Sequence, residues 1–150
     1  MAPFIVLIAS FLFFQLIGFL QLPLGEWQTS LRIAVAIMFL FTGMAHWGKR
    51  RPDLIKMVPP SLPNPSFIVT ITGILEIVGA LGLLVPTTSR MASICLAILL
   101  VVMFPANIRA AKLKVKIGEK PTSSLLPRTI LQIIFLTAVL FAGFSFSNPY

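Results

Sequence analysis

The chain has 150 residues, of which 57% are hydrophobic and 11% are charged, and its mean hydropathy is +0.98. Soluble domains average about 25% charged residues, so this composition excludes an ordinary water-soluble domain. The net charge of +8 could indicate nucleic-acid binding, but the basic residues fall between apolar stretches, as is typical of membrane proteins. We therefore expect a protein whose first partner is the lipid bilayer and which binds no nucleic acid.

Five apolar stretches are long enough to cross a bilayer, which takes about 20 residues. They cover about 3–22, 30–47, 66–85, 89–108 and 127–146. All five must be helices, because backbone groups in lipid have to bond to each other. The first stretch has no basic residue before it and is too long for the apolar part of a secretion signal, so we expect it to be retained. The prediction is an all-α, polytopic transmembrane helical bundle that forms a single membrane domain, 1–150.

The loops between these stretches differ strongly in charge. Ten of the twelve basic residues fall in the two loops on one side: Lys49, Arg50, Arg51, Lys56, Arg109, Lys112, Lys114, Lys116, Lys120 and Arg128. The other side receives only Arg32 and Arg90. Positive charge marks cytoplasmic loops, so the N-terminus and both basic loops should be cytoplasmic and Tyr150 external. These loops either touch anionic lipid headgroups or dock a soluble partner. The proline-rich segment 57–65 should be extended and lie at the interface.

The single cysteine and the single histidine limit the chemistry that the chain could carry alone. Cys95 lies inside an apolar stretch, so we expect no internal disulfide and interpret it as a small core residue. His46 is the only histidine, which excludes the bis-histidine ligation of a membrane haem. The sequence has no cluster of Cys, His and Asp, so we expect no metal site and no intrinsic cofactor.

Glu76 is the most informative residue, because it stands alone in the middle of the third stretch. A carboxylate at bilayer depth costs at least about 2.5 kcal/mol, which a partner, a proton or a function must offset. Thr72 precedes it by one turn, and the small residues Gly73, Gly79 and Ala80 share its helix face, so it should face another helix. Two interpretations remain open. Glu76 is either a proton-carrying or ligand-binding carboxylate, or a neutral acid that links helices structurally.

His46 stands near the end of the second stretch, one turn after Thr42 and beside Trp47. It is either an ordinary interfacial histidine or a polar group that closes the mouth of a cavity leading to Glu76.

Asn107 follows Pro105 near the end of the fourth stretch. A proline inside a helix leaves a backbone carbonyl without its donor, so Asn107 could satisfy groups of that kind. Alternatively, it could line the same pocket as His46. Gln132 and Gln15 are further amides within apolar stretches, and Gln132 is the stronger candidate for burial.

Four segments occur in an order that resembles the DoxX family of small bacterial membrane proteins. They are Gly43-x-x-His46-Trp, Met57-Val-Pro-Pro-x-Leu-Pro-x-Pro65, Thr72-Gly-x-Leu-Glu-Ile-x-Gly-Ala-x-Gly-Leu-Leu-x-Pro86 and Phe104-Pro-Ala-Asn-Ile108. The resemblance implies a four-helix core formed by the last four stretches, with one extra N-terminal transmembrane helix, in a bacterial inner membrane. Some members of that family are linked to quinone-reactive oxidases, thiosulfate-oxidising complexes or oxidative-stress assemblies.

Three functions follow from these observations. The first is an accessory subunit of a membrane redox system that binds quinone or another flat apolar molecule between helices. Its polar contacts would come from Glu76, His46, Asn107, Thr72 and Thr42, and a partner redox protein would carry the electrons. The second is a small proton- or cation-linked carrier that uses Glu76. The third is a structural assembly subunit, for which a second copy of the chain is one candidate partner. None of the three requires a stand-alone enzyme.

Overall fold

The computed structural model describes residues 2–19, 26–113, 116–117, 120–121 and 124–144. Its helices are α1 (Ala2–Phe19), α2 (Trp27–Met44), α3 (Arg51–Met57), α4 (Pro65–Leu84), α5 (Ser89–Lys112) and α6 (Leu125–Gly143). Two short strands, β1 (Lys116–Ile117) and β2 (Lys120–Pro121), pair antiparallel between α5 and α6. In the described part of the chain, five helices, all but α3, are long and apolar enough to cross a membrane. The predicted all-α transmembrane bundle is therefore confirmed.

Helix α2 lies at the centre of the bundle and packs against α1, α4 and α6. Helix α5 closes the bundle by packing against both α4 and α6. The core between them is made of small and medium apolar side chains, with Ala34, Val35, Phe39, Leu83 and Val139 almost completely buried. The extra helix α1 packs on α2, a placement that the sequence alone could not provide.

One end of the bundle holds most of the basic residues, and we call it the basic end; it comprises residues 45–64, 109–113 and 124–128. Its parts are held together by contacts such as the hydrogen bond from Arg109 Nε to the carbonyl of Lys56, at 3.4 Å. The other end holds the start of α2, the turn between α4 and α5, and the end of α6; we call it the opposite end. There Arg32 Nε donates to the carbonyl of Ala142 at 3.1 Å.

The sequence did not reveal α3, which lies inside the first basic loop. Pro52 stands in its first turn, where the fixed φ of proline suits a helix start. Asp53 in the first turn and Lys56 in the last turn complement the helix dipole. The helix ends at Met57 because Val58 precedes a proline and is held extended, and a turn then follows, with Leu62 N donating to the carbonyl of Pro59.

Two predicted helix boundaries differ from the observed ones for identifiable reasons. Helix α2 ends at Met44 instead of about residue 47, because the next three backbone N–H groups bond to carbonyls only three residues back. Helix α5 continues to Lys112 instead of about residue 108, because its last turn carries the basic residues Arg109 and Lys112, which lie beyond the apolar stretch that set the predicted boundary.

The interpretation of Cys95 as a core residue is wrong. Its side chain is exposed on the outer face of α5, while the core face of that helix carries Ser93, Leu96 and Leu99. The apolar surroundings of Cys95 in the sequence are explained by lipid contact on one face and core packing on the other. A helix that is apolar all round carries no periodic signal to distinguish the two.

Candidate functional site

Glu76 lies on the face of α4 that packs against α2. The buried positions of α4 include Val69, Gly73, Glu76, Ala80 and Leu83, which repeat at alternating steps of four and three residues. This spacing places them on one stripe of the helix. Glu76 is only 4% exposed. It lies near the middle of α4, about 16 Å along the helix from Pro65 at 1.5 Å per residue. The carboxyl group is thus enclosed by protein at a depth where water is scarce.

Thr42 is the direct hydrogen-bond partner of Glu76. Its Oγ1 donates to Oε2 of Glu76 at 2.6 Å, which joins the last turn of α2 to the middle of α4. Because the hydroxyl donates to Oε2, the other carboxyl oxygen, Oε1, is the one that faces His46. The bond supplies one donor to a buried polar group that would otherwise be costly to enclose.

His46 completes this arrangement from the turn that follows α2. Its Nδ1 lies 3.1 Å from the carbonyl oxygen of Thr42, and its Nε2 lies 3.9 Å from Oε1 of Glu76. A carbonyl can only accept, so Nδ1 carries the proton and Nε2 of the neutral ring is an acceptor. Burial lowers the pKa of His46 and the charge of Arg51 lowers it further, against hydrogen bonds to the backbone of Thr42 and Gly43 that raise it. The net lowering of the pKa favours the neutral ring.

The short backbone bonds at the end of α2 explain why the imidazole can reach this position. In a regular α-helix the N–H of His46 would bond to the carbonyl of Thr42. Here that N–H bonds to the carbonyl of Gly43 at 3.0 Å, and the His46 ring bonds to the carbonyl of Thr42. The tightened turn moves the side chain toward α4 and Glu76.

Two glycines allow α2 and α4 to approach closely around the three side chains. A Cβ on Gly73 would lie 2.7 Å from Cβ of His46 and 2.9 Å from the ring of Trp47. A Cβ on Gly43 would lie 2.8 Å from Ile77 and 3.3 Å from the carbonyl oxygen of Gly73. Carbon atoms pack at about 3.5–4.0 Å, so neither position has room for a side chain. Close helix approach through small residues is a common way to pack membrane helices.

Arg51 is a part of the site that sequence reasoning treated only as a topology signal. Its Nη1 donates to the carbonyl of His46 at 2.9 Å, and its Nη2 donates to the carbonyl of Ser66 at 3.1 Å and to Oγ1 of Thr70 at 2.9 Å. The guanidinium thereby fastens α3 to the end of α2 and the start of α4. Its position inside a run of basic residues gave no signal that one of them turns inward.

Thr72 and Asn107 take part in other contacts. The hydroxyl of Thr72 donates to the carbonyls of Ile68 and Val69 in its own helix. The amide oxygen of Asn107 accepts a hydrogen bond from Nη1 of Arg128 at 2.9 Å. The structure thus brings together Glu76, His46 and Thr42, and it places the described contacts of Thr72 and Asn107 elsewhere.

The amide of Gln132 is buried, and its Nε2 donates to the carbonyl of Leu100 at 2.7 Å, which links α6 to α5. Among the described residues, no group of three or more His, Cys, Asp and Glu side chains could hold a metal ion. The polar groups of the bundle therefore form separate clusters: an acid–imidazole–hydroxyl cluster between α2 and α4, and amide contacts between α5 and α6.

These features define a helical membrane bundle with a buried acid–imidazole pair at a helix interface. The chain belongs to the family described as Domain of unknown function (DUF8561), whose match covers residues 35–143. The matched region contains His46, Glu76 and Asn107, and it begins inside α2, so α1 lies outside it. No curated protein and no solved structure matches the chain.

Proposed function

We propose that the chain is a DoxX-type accessory subunit of a membrane redox system and that it binds quinone or a similar flat apolar molecule beside His46 and Glu76. The observation that carries this proposal is the gap between the two side chains. Nε2 of His46 and Oε1 of Glu76 are 3.9 Å apart, which is too long for a direct hydrogen bond. One ligand oxygen between them could contact both.

The hydrogen-bonding roles of these two groups, one an acceptor and one a donor, suit the hydroxyl group of a reduced quinone. Nε2 of the neutral His46 ring accepts a hydrogen bond, and the hydroxyl can donate one. The protonated carboxyl of Glu76 can donate to the same oxygen, since Thr42 already donates to the other carboxyl oxygen. A pocket that is mostly apolar with a few placed polar groups is the usual form of such sites. His46, Glu76 and Thr42 handle protons, so a partner redox protein would take the electrons.

The neighbouring surface supports access from the lipid. Met44 and Trp47 flank His46 in the sequence and are 63% and 46% exposed on the outside of the bundle. A membrane-dissolved molecule could reach the end of α2 past these side chains without crossing the aqueous phase. The same proposal places the protein in a bacterial inner membrane, with the basic end in the cytoplasm and the C-terminus outside, because positive charge marks cytoplasmic loops.

A purely structural function is the second candidate, and the Thr42–Glu76 bond favours it. At 2.6 Å this bond links α2 to α4, and the glycine contacts around it leave the helices closely packed. In that case the carboxyl group holds the bundle together and His46 fills the remaining space.

Mass spectrometry of small molecules retained by the protein, purified gently in its native lipid, separates the two functions. We expect quinone in the wild type and at least about ten-fold less, roughly 1.4 kcal/mol of binding free energy, in Glu76→Gln and in His46→Phe. Thr72→Val is the matched control, because its hydroxyl bonds within its own helix, and it should retain the ligand. If the wild type holds no such molecule and Glu76→Gln unfolds at the same temperature, the structural function replaces this one.

A further inference from the structure

An apolar slot lies along the seam between α5 and α6, away from His46 and Glu76. Its volume is about 200 Å³, and its walls are Val101, Phe104, Thr129, Gln132, Ile133 and Leu136. The rims of the slot face outward, since Val101 is 57% exposed and Ile133 is 59% exposed. The amide of Gln132 is turned into the seam, where it bonds to the carbonyl of Leu100. What the slot offers a ligand is therefore an apolar surface open to lipid.

A cationic group stands at the end of this slot that is nearer the basic end. Arg128 precedes Gln132 by one turn on α6, and Asn107 follows Phe104 by about one turn on α5. The hydrogen bond from Arg128 Nη1 to the amide oxygen of Asn107 joins the two helices there, at 2.9 Å. Arg128 is the fourth residue of α6, so it lies only about 4.5 Å along the helix from its start, on the side of the basic end.

We propose that this slot binds an anionic phospholipid, with one acyl chain in the slot and the phosphate on Arg128. A guanidinium has five N–H donors in a planar fork that matches the geometry of phosphate and can serve several acceptors at once. Its hydrogen bonds to phosphate are charge-assisted and stronger than those between neutral groups. The bond to Asn107 holds the guanidinium at the seam between α5 and α6, the same seam that contains the slot.

The charge around Arg128 favours an anionic headgroup over a zwitterionic one. Arg109 and Lys112 lie in the last turn of α5, on the same end of the bundle. Arg109 contacts the carbonyl of Lys56, which brings the positive charge of α3 to the same surface. Each basic residue near an anionic membrane surface contributes about 1 kcal/mol of attraction. A headgroup with its own ammonium group would lose part of that attraction.

Nanodiscs provide the test, because headgroup and acyl chain can be varied separately around the whole protein. The lipids are phosphatidylcholine alone, or the same lipid with 30% phosphatidylglycerol carrying identical acyl chains (about one molecule in three). We expect phosphatidylglycerol to raise the unfolding temperature of the wild type. After extraction, native mass spectrometry should show it retained over phosphatidylcholine by at least about five-fold relative to the bulk ratio.

Two variants and one control identify the site. Arg128→Gln should lose the preference, and Arg90→Gln, which removes the same charge at the opposite end, should keep it. Val101→Trp fills the slot and leaves Arg128 in place, and it should lose the retained lipid. This second variant tests the proposal even if Arg128→Gln does not fold. Equal retention of both lipids by the wild type, or an unchanged preference in Val101→Trp, would overturn the proposal. So would equal stabilisation by free glycerol phosphate, because the acyl chain would then contribute nothing.

Discussion

The two ends of the bundle differ in what their polar side chains bond to. At the opposite end, Gln28 Nε2 donates to the carbonyl of Phe144, Arg32 Nε to that of Ala142, and Ser93 Oγ to that of Val139. The carbonyls of Ala142 and Phe144 lie in the last turn of α6 or just after it, where helix carbonyls lack partners of their own, and that of Val139 lies one turn earlier. Such bonds join α2 and α5 to α6 in one fixed arrangement.

Toward the basic end, two pairs of side chains bond to each other, in addition to bonds from Arg51 and Arg109 to backbone carbonyls. Oγ1 of Thr42 donates to the carboxyl group of Glu76, and Nη1 of Arg128 donates to the amide oxygen of Asn107. A carboxyl group can gain or lose a proton, whereas a helix carbonyl cannot. The comparison therefore separates an end at which side chains bond to backbone carbonyls from a part of the bundle in which pairs of side chains, one of them with a titratable carboxyl group, also link the helices.

The largest effect should come from breaking the close contact beneath the basic end. In Gly73→Val, the new side chain would overlap His46 and Trp47, which a Cβ alone would already approach to 2.7 and 2.9 Å. Overpacking costs about 1–3 kcal/mol, and we expect the upper part of that range, because Cβ of His46 cannot move without the backbone of its tightened turn. The measurement is the free energy of unfolding in mixed micelles.

Gly48→Val is the matched control for this prediction. The nearest group to a Cβ on Gly48 is the carbonyl oxygen of Met44 at 3.8 Å, an ordinary contact. Its free energy of unfolding should change by less than about 0.5 kcal/mol, as for other surface substitutions. Equal losses in both variants would mean that general disturbance of this turn, and not the contact between Gly73 and His46, sets the stability.

A smaller effect should distinguish the two kinds of hydrogen bond. Thr42→Val keeps the shape of the side chain but leaves the buried carboxyl group of Glu76 without this donor, at a cost of about 1–2 kcal/mol. Ser93→Ala removes a bond to the carbonyl of Val139, which lies inside a helix, and should cost about 0.6 kcal/mol, the average for such bonds in membranes. Unfolding measurements on both variants in the same micelles compare them directly. A larger loss of unfolding free energy in Ser93→Ala than in Thr42→Val would contradict this prediction, because the bond to the helix carbonyl would then contribute more than the bond to the buried carboxyl group.

The transmembrane helices could be predicted from the sequence because each apolar stretch has the length of a bilayer crossing. Helix α3 could not, since seven residues in a charged loop that contains Pro52 carry no periodic apolar signal. The helix depends on its contacts with α4 and α5, which only the folded chain provides. The position of α1 against α2 is likewise a matter of packing, not of composition.

Only those features of the site that depend on a single helix could be predicted from the sequence. The small residues beside Glu76 on α4 indicated that the carboxyl group faces protein, and its burial agrees with that interpretation. Thr72 shares this part of the helix, yet its hydroxyl returns to carbonyls of its own helix, as threonines within helices often do. The pairing of Asn107 with Arg128 depends on the rotation of α6 against α5, for which the sequence contains no signal.

The smallest effect we predict is a dependence of stability on pH at the basic end. Burial lowers the pKa of His46 below its ordinary 6.5, with Arg51 acting in the same direction. As the pH falls through about 6.5, the unfolded chain takes up a proton that the folded chain resists, so the unfolded state binds more protons and stability decreases. The contribution of His46 to stability is thus fully present above pH 6.5 and is lost below it. Because a carboxyl group that keeps its proton only in the folded chain would shift stability in the opposite direction, the measurement is made in a Glu76→Gln background. Unfolding measured there from pH 8 to pH 5 should show this loss, and the profile should be flatter once His46→Gln is added. The opposite slope in that background, with stability rising on acidification, would mean that the folded chain favours the charged form of His46. In that case the neutral ring with its accepting Nε2 would not be the working form of the site.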